Sequence, residues 1–102
     1  MLSNFRTYQL AKDYYHRCQG LNLRPPMKDQ FDRAILSVVL NLAEGSGKLT
    51  KKERRNFYGI SLGSLRETQA ILDLLNQTEL YAIGNHLGAS LYRLIQNPGG
   101  RI

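Results

Sequence analysis

The chain has 102 residues, 42% of them hydrophobic, with 14 Lys and Arg against 8 Asp and Glu, giving a net charge of +6. That length sets one domain over residues 1–102 with a modest core, and the composition is that of a globular chain, not a disordered one. Cys18 is the only cysteine, which excludes an intrachain disulfide and a Cys-rich metal site and fits a reducing cytoplasm. The segment MLSNFRTYQLAKDYY lacks the apolar core of a signal peptide, and no apolar run approaches the roughly 20 residues that span a bilayer. The positive excess favours an anionic partner, nucleic acid ahead of a membrane surface.

The first helix is expected to start at a Ser3 or Asn4 cap and to run to about Gln19. Phe5, Tyr8, Ala11, Tyr15 and Cys18 give its buried stripe, with Tyr14 off it and Gly20 ending the helix. LNLRPP is the longest linker, because Pro25 disfavours helix at Arg24, and Pro26 suits the first turn of a second helix. That helix runs to about Glu44. Met27, Phe31, Ala34, Ile35, Val38 and Leu42 face inward, and Val39 and Leu40 widen the band, which points to a covered or oligomeric face. The third helix spans about Lys51 to Gln77, with Phe57, Ile60, Leu65, Thr68, Ile71, Leu72 and Leu75 inward. Gly59 and Gly63 leave a bare groove suited to close helix packing. Asn76, Gln77 and Thr78 break the pattern. A fourth helix from about Leu80 to Gln96 buries Leu80, Ile83, Leu87, Leu91, Leu94 and Ile95, with Gly84 and Gly88 allowing close contact and Arg101–Ile102 frayed beyond it. The expected fold is an all-α, antiparallel up-down-up-down four-helix bundle.

Enzyme motifs fail. GSGKLT has neither the glycine spacing, nor the Ser or Thr after Lys48, nor the preceding strand of a phosphate loop. A di-iron bundle needs two Glu-x-x-His pairs, and Asp13-Tyr-Tyr-His16 is a single look-alike. Neither His16 nor His86 has the arginine five or six residues upstream that some bundle ribonucleases carry. A non-enzymatic protein without cofactor or metal is expected.

The join between the second and third helices concentrates the chemistry. Gly45 and Gly47 are expected to end one helix with positive φ, and Thr50 with Glu53 reads as a capping box that opens the next. Lys48, Lys51, Lys52, Arg54 and Arg55 crowd this point, the wrong sign for a helix N-terminus unless an anion binds there. Tyr58, one turn on, suits either base stacking or the core. Arg24 and Arg17 join the set if the first linker lies nearby. Glu44 is expected to partner the basic join beside Lys51, and Glu67 to tie another helix near Lys28, so that the two carboxylates do no joint acid–base work.

NLAEG (Asn41 to Gly45), LGSL (Leu62 to Leu65) with Glu67, and Gln30, Arg33 and Ala34 resemble the four-helix bundle proteins encoded in intervening sequences of large-subunit ribosomal RNA genes. Accessory variability determinants of diversity-generating retroelements are structural relatives of that family. Tyr8 matches a first-helix aromatic, whereas Val39 stands where the family often has proline. The resemblance implies a homopentameric barrel with a basic surface and, from the retroelement relatives, nucleic-acid binding and a reverse transcriptase partner. Two hypotheses follow. One is an oligomer that binds RNA or DNA with little sequence preference. The other is an adaptor whose oligomer surface binds a protein such as a polymerase.

Overall fold

Four α-helices follow a short 3-10 turn at Leu2–Asn4 in the computed structural model, which describes residues 2–100: α1 Arg6–Cys18, α2 Pro25–Ser46, α3 Lys51–Leu74 and α4 Thr78–Gln96. No strand occurs among the described residues, so the all-α expectation holds. The tail at Arg101–Ile102 lies outside the described residues.

Helix boundaries follow local chemistry, with several departures from the sequence expectations. Ser3 and Asn4 do not cap α1; they sit in the 3-10 turn, and Phe5 is the N-cap without a side-chain bond. Phe5 takes that place because its ring enters the core, 6.4 Å from Tyr58. Arg24 is extended before Pro25 and Pro26 at the start of α2, as the proline restriction requires. No described glycine has positive φ, so Gly45 and Gly47 do not end α2 that way. Gly45 lies inside the helix and Gly47 follows it at φ −92°. The one left-handed residue among the described residues is Asn76, at φ 57°. It ends α3 earlier than expected: Gln77 N donates to Leu72 O (2.9 Å) and Asn76 N to Asp73 O (3.0 Å), the paired bonds of a Schellman turn.

All four helices contribute to one core, including Phe31, Val38, Leu42, Leu65, Leu72 and Leu91. Tyr14, expected off the stripe, is fully buried, while Tyr8 and Tyr15 are half-buried at its edge. Its hydroxyl explains the error. Thr68 Oγ1 donates to Leu65 O (2.6 Å), so the Tyr14 phenol donates to Thr68 (2.8 Å), and a satisfied phenol can be buried. Ile60, expected inward, is exposed, and Ser61 takes its place by donating to Val38 O at 2.6 Å.

Cross-helix contacts fix the register. Gln30 meets Glu67, Val38 meets Ser61, and Gly45 meets Tyr58. Thr7 pairs with Ser90, and Arg55 reaches Ile95. The starts of α1 and α3 therefore gather with the ends of α2 and α4 at one end of a body 40 × 22 × 21 Å. The linker after Cys18 and the Asn76 turn lie at the other.

Two glycines test this packing in opposite directions. A Cβ at Gly45 would stand 2.8 Å from Tyr58 Cε1 and 3.0 Å from Phe57 Cβ, against a buried ring with no room to retreat. Gly45→Ala is expected to cost about 1–3 kcal/mol. A Cβ at Gly59 meets nothing within 4 Å, so the expected close helix packing is not made within this chain. Gly59→Ala is expected to stabilise by about 0.5–1 kcal/mol. Urea denaturation of both variants checks the pair.

Candidate nucleic-acid interface

The basic join is built on the short segment between α2 and α3. Thr50 is extended and caps α3: its Oγ1 accepts from Glu53 N at 3.1 Å. The glutamate reaches back to the threonine hydroxyl, which donates to Glu53 Oε1 at 2.9 Å, and not to the Thr50 backbone N–H. The threonine cap therefore holds, while the second bond of the expected box is made to the hydroxyl instead.

The five cations are not equivalent. Lys48 Nζ lies 3.0 Å from Glu44 Oε2 and 5.0 Å from the Phe57 ring centroid. Arg54 is half-buried and its Nε donates to Lys48 O at 2.8 Å. Arg55 is exposed and its Nε donates to Ile95 O at 3.1 Å, in the last turn of α4. Lys51 and Lys52 are exposed. Among the described residues, Lys51, Lys52, Arg54 and Arg55 have no carboxylate partner, since the ion pairs there are Arg17–Asp13, Lys28–Asp32 and Lys48–Glu44. The two arginines sit at the start of α3, where its dipole opposes them, but bind carbonyls in the last turn of α4 and just after α2, at the negative ends of those helices. Beside Arg54 a recess of about 330 Å³ opens between Leu2, Phe5, Ser46, Gly47 and Gly99.

Arg17 and Arg24 do not join this cluster. Arg17 is in the last turn of α1, bound to Asp13 at 2.8 Å, and Arg24 precedes α2, both at the linker end. Tyr58 is 2% exposed and belongs to the core, so it offers no face to a base. Cys18 is buried, and burial pushes its thiol up to about 12, against a partial lowering by the Tyr14 hydroxyl. Burial also raises the Tyr14 phenol well above its ordinary value.

Most residues that carry the family resemblance lie elsewhere, along the α2–α3 seam. Gln30, Arg33, Ala34, Ser37, Ser64 and Glu67 line a second recess of about 260 Å³. Gln30 donates to Glu67, Ser37 and Ser64 pair at 2.7 Å, and Asn41 Nδ2 donates to Ser37 O at 2.9 Å. Glu44 and Glu67 thus have separate ties. Both hold the expected role, Glu44 on the basic join and Glu67 tied to another helix, through Lys48 and Gln30 where Lys51 and Lys28 were the expected neighbours. Sequence reasoning missed a third group altogether. Gln69, 2% exposed, donates its Nε2 to Tyr81 O and Asn85 Oδ1, both at 3.0 Å, and accepts from Arg66 Nη1 at 2.5 Å. Gly84 and Gly88, four residues apart on α4, were its only sequence signal.

Fold and site define a small helical-bundle protein with a basic end, in which the described residues place no group of three His, Cys, Asp or Glu side chains to hold a metal. No helix among the described residues is long and apolar enough to cross a membrane. The model of the 23S rRNA-intervening sequence protein family matches residues 5–97, and the chain belongs to that family. No curated protein and no solved structure matches it.

The buried thiol and phenol set an alkaline limit. Both have raised values in the fold, so the unfolded chain releases their protons first, and stability present below the ordinary thiol value of 9.0 is lost as pH rises towards about 12. Urea midpoints at pH 8 and pH 10.5 are expected to differ for the native chain, and to differ less for Tyr14→Phe.

Proposed function

We propose that this chain is a non-enzymatic, cytoplasmic nucleic-acid-binding protein that works as an oligomer of antiparallel up-down-up-down bundles. The observation that carries the reading is the unneutralised charge at the join. Lys51, Lys52 and Arg55 are exposed and have no carboxylate partner among the described residues, and one of the two helix N-termini at that end, that of α3, presents free N–H groups beside them. Such a surface suits phosphate and carries no base code. The family's name supports an RNA-associated setting.

Assembly has its own support. Leu36, Leu40 and Ile60 are 46%, 56% and 45% exposed. By helical spacing they share the side of α2 and α3 turned away from the core, where association would cover them. The family resemblance favours five subunits arranged as a barrel. The same apolar face supports the second reading, an adaptor that docks a protein partner such as a reverse transcriptase.

The charge test separates the two. Lys51→Gln, Lys52→Gln and Arg55→Gln together remove exposed cations and leave the half-buried Arg54 tie. Fluorescence anisotropy is expected to show weaker binding to all RNA and DNA sequences alike, with the slope of log K against log salt shallower by at least about 2. Unchanged affinity and slope in the folded triple variant would leave the adaptor as the better account. Light scattering is expected to show an oligomer at micromolar concentration that Leu40→Glu dissociates. A wild-type monomer under those conditions would remove the assembly proposal.

A further inference from the structure

The seam between α3 and α4 holds an arginine with no carboxylate partner among the described residues. The Arg66 guanidinium lies on the backbone of α4 at Gly88, where an added Cβ would stand 2.9 Å from Nη2 and 3.2 Å from Cζ. One turn earlier, a Cβ at Gly84 would stand 2.9 Å from Gln69 Nε2. Both glycines are buried, and each makes room for one polar side chain. Gln69 orients the group. Its amide nitrogen is spent on Tyr81 O and Asn85 Oδ1, which turns its oxygen to Arg66 Nη1. Asn85 uses its oxygen on Gln69, and its Nδ2 makes no hydrogen bond among the described residues. The result is a donor-only pair, Arg66 and Asn85, both exposed and fixed from beneath by a buried amide. A seam that needed only a tie would be served by a neutral side chain. A guanidinium held flat without a carboxylate partner among the described residues matches the fork that a phosphate oxygen pair requires.

The surroundings indicate which phosphate. Arg55 and Arg66 are eleven residues apart, three helical turns, so they share a face of α3 and stand about 16 Å apart along its axis. Lys52 continues that face towards the join, and Gly59 and Gly63 between the arginines are bare. Tyr92 is 54% exposed one turn beyond Gly88, between the α4 positions that Arg66 and Arg55 touch. The nearest carboxylate on the same face is Asp73, seven residues past Arg66 and about 10 Å along the helix. Cations at intervals, an exposed aromatic ring and no intervening acid suit an unpaired strand, its phosphates on the cations and a base on the ring.

We infer that Arg66 and Asn85 form a phosphodiester subsite for single-stranded nucleic acid, the far end of a track that runs along α3 from Lys52 and Arg55 past Tyr92. This rests on the nucleic-acid reading of the join and extends it to residues outside the basic cluster. The test is anisotropy of a labelled 20-nucleotide single-stranded RNA, across a salt series, with the full chain. Arg66→Gln is expected to weaken binding about tenfold and to make the salt slope shallower by about 0.7. Arg66→Lys keeps the charge but loses the fork, and is expected to weaken binding at least threefold. Lys12→Gln, an equal charge loss on exposed α1, is expected to stay near wild type, and circular dichroism confirms that each variant is folded. If Arg66→Gln does not fold, the lysine variant decides. Wild-type affinity in the arginine variants, or an equal loss in Lys12→Gln, overturns the subsite and leaves the join reading standing. Absence of salt-dependent binding by the wild-type chain overturns both.

Discussion

Tyr58 against Gly45 is the contact on which the rest of the bundle depends. The ring occupies the space that a side chain on α2 would fill, and Phe5 of α1 closes over it at 6.4 Å. Three helices meet there, directly beneath the basic join. The ring is buried, and burial raises the pKa of its hydroxyl against a lowering by the nearby Arg54 charge. The join's cations thus stand on a rigid base.

That base changes what the positive charge at the start of α3 means. From sequence, cations there oppose the helix dipole. In the fold, the last turn of α4 arrives beside them, and Arg55 binds its Ile95 carbonyl while Arg54 binds Lys48 O. Part of the charge is therefore structural. Only Lys51, Lys52 and the outer faces of the guanidiniums remain for the proposed nucleic-acid interface, which narrows that proposal and turns it along α3. The linker arginines, at the opposite end, fall outside it.

How much was legible varied with the kind of signal. Helix number and the inner faces of α2 and α4 came through because leucine and isoleucine at helical spacing have one use in a small bundle. The Thr50–Glu53 cap came through because both partners are local. Tyr14 was misplaced because periodicity weighs a tyrosine as amphipathic, while its burial is set by a threonine 54 positions away. Gly45 was recognised but given the wrong reason: it serves contact, not dihedral freedom, and spacing does not separate the two. Arg66 was invisible because its role needs Gln69, Asn85 and Gly88, which only the α3–α4 register brings together. Distant polar partners are what a single sequence conceals.

Among the described residues, hydroxyl pairs cross between helices at Thr7 with Ser90, Tyr14 with Thr68, and Ser37 with Ser64. A hydroxyl that loses its partner in a dry interior carries a desolvation penalty, whereas replacing both members by apolar groups of similar shape is close to neutral. The Tyr14–Thr68 pair is therefore a two-site lock in mutational space, since losing Thr68 takes that bond from a fully buried phenol. A lineage leaves it through a single-substitution valley, or by changing both positions in quick succession. Divergence among such bundles should then proceed in coupled steps at positions tens of residues apart, while exposed sites between them drift one at a time.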